Sequence, residues 1–318
     1  MNDDFIDIIK YAAKAPSGHN TQPWRFSFTE NIISIKPNFN VSLPVVDRDN
    51  RELYISLGCA TENLLIAATH FGYATHILKS DNTEIRVKLI RSNQVDKDSL
   101  FYQIERRQTN RSVYNGKKIT DLQLKKLQAI LPDENLKVYF VETGSPLANT
   151  LTGYIAKGNE IQMSDNAFRE ELLSWMRFNS NQIKKTGDGL SYKVFGNPPL
   201  PGMIAKLIVR QFLKPDTQNK GDRENIASSS HLVLLTTKHN TVEQWIRLGR
   251  FLQRLLLTAT EAGVASAYCN QPCEVESLAN ELQQILPIQG EYPTLLLRIG
   301  YAASTPYSPR KKIEDVLE

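Results

Sequence analysis

Two long apolar stretches, Tyr54–Phe71 and Val242–Ala262, carry the same pattern. Ile55, Leu57, Gly58, Leu64, Leu65, Ala68, Thr69, Gly72 and Ala74 recur, 191 positions later, as Ile246, Leu248, Gly249, Leu255, Leu256, Ala259, Thr260, Gly263 and Ala265. Matched leucines and alanines follow from any pair of buried helices. Matched glycines, one near the start of each stretch and one at its end, do not. The chain therefore reads as two copies of one unit, residues 1–95 and 96–318, arranged with a pseudo-twofold like a fused homodimer. A fold built from two related halves is the strongest restriction the sequence imposes.

The elements follow in order. Apolar residues at Phe5, Ile6, Ile8, Ile9, Ala12 and Ala13 have helical spacing over 3–14. Trp24–Phe28 and Ile32–Ile35 read as strands, and Asp47–Glu52 as a charged turn. The first long helix ends at Gly72, which suits a C-cap. His76–Leu78 and Ile85–Ile90 are strands, and 92–98 is a polar link. Helices are expected at 99–107, 120–131 with Thr120 as N-cap, 145–162 and 167–175, with a strand at 138–141. Residues 176–224 mix Gly187, Gly189, Gly196, Gly202 and Gly221 with Pro198, Pro199, Pro201 and Pro215 and read as irregular. Insertions of that kind are often lids or binding loops. A strand at 232–236, the second long helix and a strand at 294–300 complete the chain.

Ala15-Pro16-Ser17-Gly18-His19-Asn20-Thr21-Gln22-Pro23-Trp24 lies between the first helix and the first strand. Two prolines and a glycine exclude a regular helix or central strand there. The segment has two readings on its residues alone: a connector that caps the next element, or a loop pinned by Trp24 that offers Ser17, Asn20 and Gln22 to a flat polar ligand. The net charge of +4 is small and broken into short clusters, Arg106-Arg107, Lys117-Lys118, Lys184-Lys185 and Arg310-Lys311-Lys312. That argues against a nucleic-acid partner and suits single phosphate groups. Three cysteines, an odd count, argue against a disulfide scaffold, and Cys269 and Cys273 lack the further ligands of a zinc site. No metal is expected. No apolar run reaches membrane-helix length and no signal peptide is visible, so a cytoplasmic protein with no membrane partner is expected. No Ser/His/Asp triad, Walker loop or GxGxxG appears.

The run Pro16–Trp24 resembles the PSSxNxQPW loop of the nitroreductase-like flavoproteins, with Gly18 in place of the second serine. Arg106-Arg107-Gln108-Thr109-Asn110-Arg111 resembles the family's RRSxR motif. Trp175-Met176-Arg177-Phe178-Asn179, Thr186-Gly187-Asp188-Gly189-Leu190 and the closing Ile313-Glu314-Asp315-Val316-Leu317 resemble the Acg-like, mycobacterial-dormancy-type subgroup. The resemblance implies an α+β nitroreductase-like fold. It would consist of two tandem repeats forming a pseudo-dimer, with central sheets flanked by helices and a lid insertion at about 176–224. It further implies a single FMN held between the two halves, because the first half keeps the loop and the second keeps the arginine motif. A monomer is then expected.

The resemblance also assigns residues. Pro16, Ser17, Gly18, Asn20 and Gln22 would line the flavin ring. Arg107, Thr109 and Arg111, sharing one face if extended, would clamp the phosphate with Arg310 and Lys311. Asn270, Gln271 and Pro272, after the second long helix, would present donors to the reactive edge of the ring. His19 is packing or surface. No protein side chain need act as a catalyst, since the flavin carries hydride or electrons from NAD(P)H to a small aromatic or electron-poor substrate. The alternative is a flavin-sequestering protein whose lid, with Trp175, Phe178 and Tyr192, occludes the site.

Overall fold

The computed structural model describes residues 3–130, 132–285 and 290–318. In chain order the elements are α1 (Asp3–Ala12), β1 (Trp24–Thr29), β2 (Ile32–Pro37), α2 (Arg51–His70), β3 (Tyr73–Ser80), β4 (Ile85–Arg91), α3 (Asp121–Gln128) and β5 (Leu136–Glu142). Then come α4 (Pro146–Ser164), α5 (Asn166–Trp175), β6 (Met176–Arg177), α6 (Ser180–Thr186), β7 (Leu190–Ser191), α7 (Gly202–Phe212) and α8 (Pro215–Ala227). The chain ends with β8 (His231–Thr237), α9 (Val242–Glu261), β9 (Ala265–Tyr268), α10 (Gln271–Glu274), α11 (Glu276–Ile285) and β10 (Tyr292–Gly300).

The chain divides into two compact units. The first takes the chain through Arg107 together with Thr241–Glu261 and Arg310–Glu318; the second takes Gln108–Asn240 and Ala262–Pro309. This division by contact cuts the chain differently from the division by repeat at 95/96, because α9 and the tail pack into the first unit.

In the first unit four antiparallel strands run in the order β1-β2-β4-β3, with α2 between β2 and β3 in sequence. Phe26, Ile33, Ile35, Val87 and Leu89 alternate inward, as half-buried strands must. The amphipathic α1 buries Phe5, Ile8, Ile9 and Ala12. The tail joins the free edge of β1: Phe26 N donates to Val316 O at 2.7 Å and Glu318 N to Phe26 O at 2.8 Å. A strand edge leaves unpaired donors and acceptors, and the tail satisfies them.

α2 and α9 cross at glycines. A Cβ on Gly58 would lie 2.2 Å from Ile246 O, and one on Gly249 would lie 2.1 Å from Ile55 O. The contact is reciprocal: Ile55 and Gly58 face Gly249 and Ile246, the same pairs that recur in the sequence. Around it, Gln253 Nε2 donates to Asn63 Oδ1 at 2.7 Å, and Arg250 and Arg254 pair with buried Glu62. Asp47 opens α2 by accepting from Glu52 N and Leu53 N, both at 2.9 Å. This replaces a side-chain N-cap, which left-handed Asn50 does not supply.

In the second unit the order is β5-β8-β10-β9, again antiparallel throughout, with α9 between β8 and β9 in sequence. The positional order, first-second-fourth-third, is that of the first sheet. β8 is buried along its whole length, and β10 is buried from its second residue onward. α4, α8 and α11 close one face with Leu151, Ile155, Ile226, Leu278 and Leu282 against Leu232, Leu234 and Leu296.

Three expectations change. Residues 176–224 are not irregular: they hold α6, α7 and most of α8, with the paired β6 and β7. Several of the glycines and prolines mark helix ends there. Gly187 is a left-handed C-cap, Pro201 precedes α7 and Pro215 opens α8. Residues 99–107 form a short 3-10 turn over Ser99–Gln103 rather than a helix. The helix expected over 120–131 ends at Gln128; Thr120 is its N-cap as expected, and Gln123 completes a capping box with it; Leu131 lies outside the described residues.

Candidate functional site

In the first unit the chemistry gathers on the loop between α1 and β1. Three of its non-glycine residues, His19 (φ 47°), Asn20 (φ 57°) and Gln22 (φ 54°), sit in the left-handed region. Each costs backbone energy, and such residues cluster at binding sites. The turn is fixed internally by Asn20 N to Ser17 O, Thr21 N to Gly18 O, and Gln22 N to Ser17 Oγ, each at 3.0 Å. Fully buried Trp24 anchors its exit.

The tail is clasped to this loop. Arg310 Nη1 donates to Asn20 Oδ1 at 2.9 Å, Lys311 N to Gln22 Oε1 at 2.9 Å and Lys311 Nζ to Thr21 O at 2.7 Å. The Asn20 and Gln22 side chains are thus turned inward onto the tail, whereas Ser17 and Gly18 are partly exposed. Arg310 Nη2 donates to Lys14 O at 3.0 Å, and Arg107 Nη2 donates to the same oxygen at 3.3 Å. Two guanidiniums thus converge on one carbonyl. Burial, with the neighbouring Arg107 charge second, pushes Arg310 down to about 9. An arginine keeps its proton in a protein, so the depression expresses the cost of holding that cation there. An anion relieves such a cost. Lys14 adds a further ammonium, paired with Glu105 at 2.7 Å.

Beneath the loop a small cavity is lined by Gly18, Thr21, Leu43, Asp47, Glu52 and Ser56. Burial, then the Glu52 charge, raises the Asp47 carboxyl to about 7.

The second unit holds the remaining predicted residues. Thr109 bridges to Ser266, which sets the chain beside β9. Arg111 lies 5.6 Å from the Phe195 ring, and burial lowers its pKa. Its Nη1 is buried without a hydrogen-bond partner. Arg107, Thr109 and Arg111 therefore distribute over the two units, and the arginine that joins Arg107 is Arg310. The Asn270–Pro272 turn follows β9. Asn270 Oδ1 accepts from Leu296 N at 3.1 Å. Gln271 Nε2 donates to Asn159 Oδ1 at 3.1 Å and Asp222 Oδ2 at 3.0 Å, and Asn159 Nδ2 donates to Asp222 Oδ2 at 2.8 Å. A Cβ on Gly158 would lie 2.6 Å from Gln271 Cβ, so that glycine lets α4 approach the turn.

No family model matches the chain. Rv3131 of Mycobacterium tuberculosis, provisionally named an NAD(P)H nitroreductase, is 24% identical over 338 residues that cover 100% of this chain and 94% of the relative. Acg of the same organism, named likewise, is 21% identical over 326 residues, covering 98% and 95%. Over nearly its whole length the chain is thus similar to these mycobacterial proteins. Among solved structures, the chain is similar to the FMN-dependent nitroreductase NfnB from Mycobacterium smegmatis in complex with NADPH. The two are 12% identical with a TM-score of 0.43, over 67% of this chain and 94% of that one. It is also similar to a nitroreductase with bound FMN from Bacteroides fragilis, 14% identical with a TM-score of 0.35, over 65% and 90%.

Sequence reasoning missed the Lys14 carbonyl as the meeting point of Arg107 and Arg310. It also missed the Asn159–Asp222 support of Gln271 and the role of Asp47. Gly158, a glycine inside a helix, was the one available signal of a close approach. The others depend on long-range contacts. Cys59, Cys269 and Cys273 are buried thiols outside any disulfide, and burial pushes the Cys269 thiol up to about 12, which leaves it unreactive.

Proposed function

We propose that the protein is an FMN-dependent oxidoreductase of the nitroreductase type that takes hydride from NAD(P)H and passes it to a small electron-poor substrate. The observation that carries this reading is the convergence of Arg107 and Arg310 on the strained loop of the first unit. A phosphate dianion matches two guanidiniums and the neighbouring Lys311 in charge and geometry. FMN when bound would supply the hydride chemistry. The chain's own work is binding and orientation. Arg107, Arg310 and Lys311 would hold the phosphate. Pro16, Ser17 and Gly18 would offer backbone and small side chains to a flat ring. Asn20 and Gln22 would act indirectly, by fixing the tail that carries Arg310. In the second unit Thr109, Arg111, Asn270, Gln271 and Pro272 are the candidate flavin contacts, with Asn159 and Asp222 holding Gln271 in place. The matched sheet orders and the reciprocal Gly58–Gly249 crossing support two tandem halves, and with them one FMN per chain.

A second reading, flavin sequestration with little turnover, is favoured by the lid's order. Arg177 and Asp188 form a buried ion pair at 2.7 Å, Gly189 packs against the Trp175 carbonyl, and Phe195 covers Arg111. One experiment separates the two. The purified protein is titrated with FMN, its stoichiometry taken from the visible spectrum, and NADH or NADPH is added without oxygen. One FMN per chain that bleaches at turnover rates supports the oxidoreductase. One FMN reduced by dithionite and not by either nicotinamide supports sequestration. Failure to bind FMN in excess removes both.

A further inference from the structure

The lid carries a surface that neither reading uses. On α7, Met203, Ile204, Leu207, Ile208 and Phe212 are exposed, Met203 at 86% and Leu207 at 63%. At 100° per residue these five span one half of the helix circumference, and buried Ala205 and Leu213 lie on the other. Lys206 and Arg210 fall on one side of the apolar stripe, and Lys214 follows just beyond the C-terminal end of the helix. Residues 180–215 contain six cations, Lys184, Lys185, Lys193, Lys206, Arg210 and Lys214, and one acid, Asp188, which Arg177 pairs. Arg210 reaches Glu170 of α5 at 2.5 Å, and both side chains stay more than 40% exposed.

We propose that α7 docks this protein on an anionic phospholipid surface, lying in the plane of the interface. A helix with a wide apolar face, bordered by long cationic side chains that can reach toward headgroups, is the form that binds membranes without crossing them. Among the described residues no helix is long and apolar enough to cross a membrane. The charge selects the occupant. A second copy would set the same cations against each other, whereas anionic headgroups neutralise them. The proposal is independent of the flavin reading.

The test is co-sedimentation of the full-length protein with vesicles of phosphatidylcholine alone or of phosphatidylcholine mixed with phosphatidylglycerol, at low and high salt. Binding is expected to the mixed vesicles only, and to weaken with salt. Leu207→Glu is expected to abolish it. Lys206→Gln and Lys214→Gln are each expected to weaken it roughly fivefold. Because Leu207 is exposed, the variant should keep the wild-type circular dichroism and thermal midpoint. Three results would overturn the proposal. One is absence of binding to mixed vesicles. Another is a Leu207→Glu variant that binds like the wild type. The third is a concentration-dependent self-association or a change in FMN affinity on Leu207→Glu with vesicle binding unaltered, which would assign the face to a second copy or to the cofactor.

Discussion

The two sheets share a strand order and differ in what joins their strands. In the first, β1 and β2 are linked by Glu30 and Asn31 alone. In the second, the equivalent β5 and β8 are separated by residues 143–230, which hold α4 to α8 and the lid. The approach to the first strand differs in the opposite sense. Before β1 the chain spends 13–23 on a strained loop that holds Arg310, and before β5 it has only a short link. Ladder hydrogen bonds and apolar faces keep the sheet the same, so the connections are left to carry chemistry.

The largest expected effect tests the shared scaffold. Gly58→Leu or Gly249→Leu forces a side chain into a facing carbonyl and should cost roughly 4 kcal/mol or prevent folding. Gly153→Ala, on a helix with open space around it, should shift stability by less than about 1 kcal/mol. Urea unfolding measures both, and a Gly58→Leu protein as stable as Gly153→Ala would contradict the crossing.

Next comes the unequal distribution of arginines. Arg310→Ala should weaken FMN binding roughly a hundredfold, from loss of a charge-assisted contact, and Arg111→Ala by about tenfold. Flavin-fluorescence titration ranks them. A larger loss for Arg111→Ala would move the phosphate to the second unit.

A pH effect follows from Asp47. Its folded value of about 7 lies above the ordinary 3.8, so folding takes up a proton between those values. Its contribution therefore falls as pH rises through that window, by a slope of at most about one proton. The thermal midpoint across the window should decline less steeply in Asp47→Asn than in the wild type. Equal slopes would show that another group is responsible.

The smallest effect concerns the loop's strain. His19→Gly should raise stability by about 1 kcal/mol, because glycine adopts the left-handed conformation without steric cost. A destabilised variant, measured in the same urea experiment, would show that the histidine side chain outweighs its backbone cost.

The long helices, their paired glycines and most strands were legible in the sequence, because burial and backbone close approach leave local marks: apolar periodicity and glycine. So was the loop at Pro16–Trp24, through its two prolines and its glycine. β9 was not, since four residues of alanine, serine and tyrosine carry no strong alternation. Residues 176–224 were misjudged because prolines and glycines that cap helices look, in a string, like those that break them.

Which arginine meets which was decided only in three dimensions. Arg107 and Arg310 are separated by some two hundred residues, and they converge because the tail completes the free edge of β1 and delivers Arg310 to the Lys14 carbonyl. The sequence determined that arginines and a lysine were present in short clusters and that two long helices would share one pattern of glycines. The grouping of Arg107 with Arg310 belongs to the tertiary structure, because the unpaired backbone groups of an edge strand and the Asn20 and Gln22 side chains, all distant in sequence from the tail, together choose where the tail lies.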